Sequence, residues 1–203
     1  MTNLDFIRVV VAGDIDGLTA RLAAKPALAT MSSRVGASRQ ESSDFFFTGI
    51  AHYLYAGDTP LHMAAAAFRR DVAALLVGHG ADCRARNRRG AEPLHYAADA
   101  NRWDPDAQAS TIEYLISVGA DPNSLDRSGV SPLHRAVRTR SLAAVQALLD
   151  GGADPLMPNG RGSTPLQLAM HSTGRGGSGS ARARDQQARI IEVLRAHRAR
   201  LTP

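Results

Sequence analysis

The chain repeats itself, and that self-similarity limits its fold more than any other feature. Four segments align in register: GDTPLHMAA from Gly57, GAEPLHYAA from Gly90, GVSPLHRAV from Gly129 and GSTPLQLAM from Gly162. Between them recur LLVGHGAD (Leu75–Asp82), LISVGAD (Leu115–Asp121) and LLDGGAD (Leu148–Asp154). Gly57 to Gly90 and Gly129 to Gly162 are both 33 residues apart, whereas the Gly90 unit is 39 long and so carries six extra residues. A period of this length marks a solenoid, in which each unit buries its apolar face against its neighbours.

Local chemistry explains each recurring position. Thr59, Ser131 and Thr164 are good helix N-caps, and the proline after each sits where a missing N–H costs nothing. Glu92 takes the cap position in the second unit and is a weaker choice. A second helix ends in Leu-Leu or Leu-Ile, and Gly80, Gly119 and Gly152 are placed to stop it. An extended finger then leads to the next unit.

These TPLH openings, LL pairs and GAD turns resemble the ankyrin-repeat family across residues 57–170. The ends look like degenerate copies: FIRVVVAGD and LTARLAAKPALA at the start, IIEVLRAH near the close. The resemblance implies an all-α repeat solenoid of stacked helix–loop–helix units with short hairpin-like fingers. Repeats are expected at about 4–31, 57–89, 90–128, 129–161 and 162–201, forming a single domain over residues 1–203. Insertions interrupt it at 32–56, 101–108 and 171–185.

Composition narrows the function classes. Hydrophobic residues make up 44% and aromatics only 5%, which suits close-packed small helices. Lys25 is the only lysine, so the net charge of +5 rests on arginine and favours acidic partners. A GC-rich, bacterial-like genome would produce the same bias. The lone Cys83 cannot form an internal disulfide. The opening MTNLDFIRVVVAGD is too short and too charged for a signal peptide, and no stretch is long enough to span a membrane. A monomeric cytoplasmic scaffold is expected, without cofactor or metal. Neither nucleic acid nor membrane is expected as a partner, because RNA-binding signatures and zinc-finger spacings are absent.

In ankyrin proteins the first helices and the fingers line the concave side, and the register carries that side onto particular residues. Tyr96, Asp99, Arg135, Arg138 and His171 fall at the centre of the groove. An arginine pair beside a tyrosine and a histidine suits a carboxylate, a phosphate or an acidic peptide. The same residues would equally form a solvated face in which Asp99 pairs with an arginine. Acid–base chemistry by His171 with Asp99 or Tyr96 is a further option, though no catalytic residue is assigned. The fingers add Arg84, Arg86, Arg88, Arg89, Arg127 and Arg161.

The insertions offer lid or loop contacts. Residues 32–56 hold Phe45, Phe46, Phe47, Tyr53 and Tyr55, half of the ten aromatics, together with His52. They form either a local element packed on the first repeats or a cover over one end of the groove. Asn101–Gln108 carries Arg102 and Trp103; His171–Asp185 is Gly- and Ser-rich and carries Arg175. His62, His95 and His134 recur at one register with Gln167 in the fourth, the mark of structural hydrogen bonds between repeats rather than of a metal site. Two functions therefore compete. One is a protein-interaction module binding an acidic partner through groove and fingers. The other is a small-anion or catalytic pocket covered by the 32–56 insertion.

Overall fold

A computed structural model describes residues 3–38, 42–99, 104–171 and 181–201. Ten helices occur there in five pairs: α1 (Asn3–Ala12) with α2 (Ile15–Ala24), α3 (Pro60–Ala66) with α4 (Arg70–Gly78), α5 (Pro93–Ala97) with α6 (Pro105–Ser117), α7 (Pro132–Thr139) with α8 (Leu142–Asp150), and α9 (Pro165–Met170) with α10 (Ala181–Leu201). The odd-numbered helices pack on one another in chain order, and so do the even-numbered ones. The result is a two-layered, all-α solenoid.

Leucines from both layers, including Leu61, Leu76, Leu94, Leu115, Leu133 and Leu148, are fully buried. Alanines fill the space between short helices: Ala64–Ala67, Ala97 and Ala98 are all buried, and their small side chains let the inner helices approach closely.

The first helix of each central unit starts as its sequence requires. Thr59, Glu92, Ser131 and Thr164 are N-caps followed by proline, and each closes a capping box with the residue three places on. In three units that residue is histidine. The backbone N–H groups of Thr59, Glu92 and Ser131 donate to the Nδ1 atoms of His62, His95 and His134 at 3.1, 3.1 and 3.4 Å. Because Nδ1 accepts, the proton sits on Nε2. Each Nε2–H then donates across to the next repeat, to the carbonyls of Ala91, Val130 and Ser163, at 3.0 Å in every case. The recurring histidines are therefore inter-repeat hydrogen bonders. The outer helices stop where Gly80, Gly119 and Gly152 take positive φ.

The insertions differ in form. Residues 32–56 include a two-stranded hairpin, β1 (Phe46–Phe47) against β2 (His52–Tyr53), with Phe46 opposite Tyr53. Ile50 and Leu54 are buried, and Ala37 N–H donates to the Leu54 carbonyl at 2.8 Å. Ser33 and the Gly57–Asp58 backbone exchange two bonds of 2.7 Å, which ties this segment to the start of the second repeat.

Asn101–Gln108 reads as a loop in the sequence, but its described part opens a helix. Asp104 caps α6, which runs 13 residues against nine in α4 and α8. The added turn buries Gln108, whose amide donates to the Ala97 carbonyl at 2.8 Å and accepts from Ser141 Oγ at 2.6 Å. Likewise residues 181–185, expected within the last insertion, form the first turn of α10.

Candidate functional site

Each finger reverses direction on an Asn or Asp three residues before its glycine. The side-chain oxygen of Asn87 accepts the N–H groups of Arg89 and Ala91, that of Asp126 accepts Ser128 and Val130, and that of Asn159 accepts Arg161 and Ser163. This is the usual way a short polar side chain holds a turn. Consecutive tips then touch backbone to backbone. Arg88 N–H donates to the Ala56 carbonyl at 3.2 Å, and Arg127 N–H to the Arg89 carbonyl at 2.9 Å. At the next step a side chain on Gly129 would strike Gly160 N at 2.6 Å. Only glycine leaves room for that approach.

The fingers and inner helices enclose a concave cavity of about 880 Å³, which runs from His52 and Tyr55 at one end to Gln187 and Ile190 at the other. Its floor begins in a buried polar cluster. Asp58 is fully buried and its carboxylate accepts from Tyr96 Oη (2.7 Å), Asn87 Nδ2 (2.8 Å) and the Tyr55 N–H (2.6 Å). Burial and the neighbouring Asp58 push the Tyr96 hydroxyl well above its ordinary range, so it keeps its proton and acts as a donor. It is not poised as a general base.

The centre of the floor is an ion-pair network. Arg135, whose side chain is only 12% exposed, donates Nη1–H to Asp99 Oδ2 and Nη2–H to Asp126 Oδ2, both at 3.0 Å. Burial works against the charge of Arg135, but the two carboxylates outweigh it and hold the guanidinium charged. Burial likewise opposes ionisation of Asp126, yet the Val130 N–H and Arg135 together draw its carboxyl below the ordinary range. Arg138 reaches the other oxygen of Asp99 at 3.3 Å and keeps its side chain 59% exposed. The five residues expected at the groove centre thus all line the cavity, and His171 does so from an exposed position. Tyr96, Asp99 and Arg135 are also committed to partners within the protein.

The finger arginines divide. Arg88, Arg89, Arg127 and Arg161 line the cavity. Arg84 and Arg86 do not; they pair with Asp121 at 3.9 Å and Glu92 at 3.0 Å. The insertion supplies the end wall. His52 packs against Tyr96 with the rings tilted and their centres 4.6 Å apart, and its Nδ1 bonds the Tyr53 carbonyl at 2.8 Å. Burial lowers its affinity for a second proton. The Arg89 guanidinium lies 4.1 Å from the centre of the Tyr55 ring. Tyr53 faces a smaller recess of about 340 Å³ shared with Tyr55, Arg88 and Arg89, whereas Phe47 packs against the core. Arg102, Trp103 and Arg175 lie outside the described residues.

Cys83 is half-buried, its thiol facing the Val118 carbonyl at 3.4 Å, and burial raises its pKa. Among the described residues no three His, Cys, Asp or Glu side chains stand close enough to hold a metal ion, and no helix is long and apolar enough to cross a membrane.

Sequence reasoning does not single out Asp58 or Asn87. A signal for Asn87 exists, since an Asn or Asp precedes Gly90, Gly129 and Gly162 by three residues each time. Asp58 has no such signal, because its partners come from three separate segments.

Family models match most of the repetitive region. Two describing ankyrin repeats in many copies cover residues 61–107 and 115–169, and one describing a single ankyrin repeat covers residues 89–127. With the inter-repeat histidines, the helix pairs and the stacked fingers, these matches identify the chain as a member of the ankyrin-repeat family.

Proposed function

We propose that this protein is an interaction module that takes an extended acidic segment of a partner protein along its concave groove. Ankyrin repeats are generally protein–protein interaction modules, so the general class follows from the family. The acidic partner is inferred from one observation, the imbalance of charge in the cavity. Five exposed arginines line it: Arg88, Arg89, Arg127, Arg138 and Arg161. Among the described residues the only carboxylates lining it are Asp99 and Asp126, and both already bind Arg135. The surplus positive charge would steer an acidic chain inward and form charge-assisted hydrogen bonds with it.

The shape favours a chain over a small anion. The cavity spans the fingers of three repeats and the helices below them. Its most buried cation, Arg135, is neutralised by two carboxylates, so the deep part lacks the unpaired positive charge a compact anion would need.

Fluorescence anisotropy with a labelled oligo-glutamate peptide tests the reading. Arg127→Glu should weaken binding about tenfold, as expected for loss of a charge-assisted contact and gain of a repulsive one. Arg8→Glu, on α1 outside the cavity, changes net charge equally and should leave affinity unchanged. Equal losses in both variants would reduce the effect to net charge and sink the groove assignment. Tighter binding of a single-stranded oligonucleotide than of the peptide would replace the partner class.

A further inference from the structure

Resting on the acidic-segment reading, we infer that the preferred ligand is a polyproline II segment with an acidic side chain at every third residue. The argument is one of matching periods. The fingertips touch directly, so the distance between equivalent residues of neighbouring fingers can be built up along the backbone. From Arg88 the path runs one residue to Arg89, about 3.8 Å between Cα atoms. It then crosses the single hydrogen bond from Arg127 N–H to the Arg89 carbonyl, which adds no more than about 7 Å between Cα atoms once the covalent bonds on either side are counted. The step from Arg88 to Arg127 is therefore at most about 11 Å. The helix layers beneath have a spacing of the same size, roughly 8–10 Å.

Arg88 and Arg127 occupy the same register on consecutive fingers, and both are exposed. On the third finger that register is Gly160, where no side chain fits because an added Cβ would strike the Ser128 carbonyl. Its neighbour Arg161 supplies the charge one residue along, an offset that a long, flexible side chain can cover. Three arginines thus follow one another on consecutive fingers, the third displaced by one residue.

A ligand must present carboxylates at the pitch of the fingers. A β-strand returns to the same face every second residue, about 6.7 Å, and falls short of the roughly 8–10 Å spacing of the helix layers that carry the fingers. Polyproline II has three residues per turn and rises about 3.1 Å per residue, so every third side chain shares a face at about 9.3 Å. It also lacks internal hydrogen bonds and is populated before binding, which lowers the ordering cost.

Anisotropy titrations with labelled peptides, the first three of one composition, separate the options. In one, Glu occupies positions 1, 4 and 7 of a proline-rich background; in a second the three Glu are consecutive; in a third they alternate. A fourth, alanine-based helix repeats Glu every seventh residue. The every-third peptide should bind about tenfold more tightly than the others. That advantage should vanish in Arg127→Glu, the central step, and persist in Arg8→Glu, with circular dichroism verifying that both variants fold. Equal affinity for all spacings would overturn the periodic match while leaving the acidic groove standing. Tighter binding of the helical peptide would overturn it as well. If no peptide binds, the groove reading itself falls.

Discussion

The inter-repeat histidines work only when neutral. His62, His95 and His134 each use Nδ1 as acceptor and Nε2–H as donor, so a second proton would place a donor against the N–H at its own helix cap. Burial is the largest cause of their lowered pKa values, and for His95 the value falls from 6.5 to about 4. Between those limits the unfolded chain binds more protons than the folded one. The contribution is therefore complete above about pH 6.5 and is lost as the pH falls towards 4. For His95 it amounts to on the order of 3 kcal/mol. Urea unfolding at pH 7.5 and pH 4.5 should show stability falling with acid. His95→Gln, which copies Gln167 at the same register of the last unit, should fold and flatten part of that dependence. An unchanged dependence in the variant would mean that His95 does not carry it.

At the level of elements, the expected and observed structures agree where local chemistry determines the outcome. The cap, proline, leucine pair and stop glycine of each unit are each favoured by their neighbours in sequence, so the helix pairs were legible. The finger arginines were not sorted by the same means. Arg84 and Arg86 precede the turn at Asn87 whereas Arg88 and Arg89 follow it, and only the path of the turn decides which pair meets the groove. The extra turn of α6 escaped for a similar reason: Gln108 reads as a polar loop residue until Ala97 and Ser141 are brought beside it. The hairpin has no counterpart in the other repeats, so register said nothing of its position. Its anchor is Leu54, 1% exposed, just after β2 on the stretch that leads to Tyr55 and the Asp58 cluster. Leu54→Ala should cost about 2–4 kcal/mol in urea unfolding. It should also speed amide exchange at residues 45–58 before the rest of the chain. A loss below about 0.5 kcal/mol, typical of surface substitutions, would mean that the hairpin is not anchored there.

For the whole molecule, stability depends on neighbours, because each helix of the stack packs on the next one along its own layer. The two ends are not equivalent. At the start, Phe6, Ile7, Val10, Leu18 and Leu22 are buried in α1 and α2, and the hairpin segment adds Ile50 and Leu54 to the core. At the other end, the 21-residue α10 has only Ile190 and Leu194 buried among its described side chains. The histidine links also run out there. His134 reaches the Ser163 carbonyl of the last unit, whereas among the described residues the Gln167 side chain bonds its own cap at Thr164. Opening should therefore begin at α10 and spread towards α9, while α3–α8 remain closed until global unfolding. Hydrogen exchange followed by mass spectrometry should find the fastest exchange among helical segments in α10, the next in α9, and the slowest in α5–α8. Leu194→Ala should speed exchange in α9 and α10 and leave α3–α6 unchanged. It should also weaken an acidic peptide less than Arg127→Glu does, because Arg127 stands on an inner finger whereas Leu194 supports only the end of the groove near Ile190. Uniform exchange across all ten helices, in the wild type or in this variant, would show that the array opens as one unit and that its ends carry as much stability as its middle.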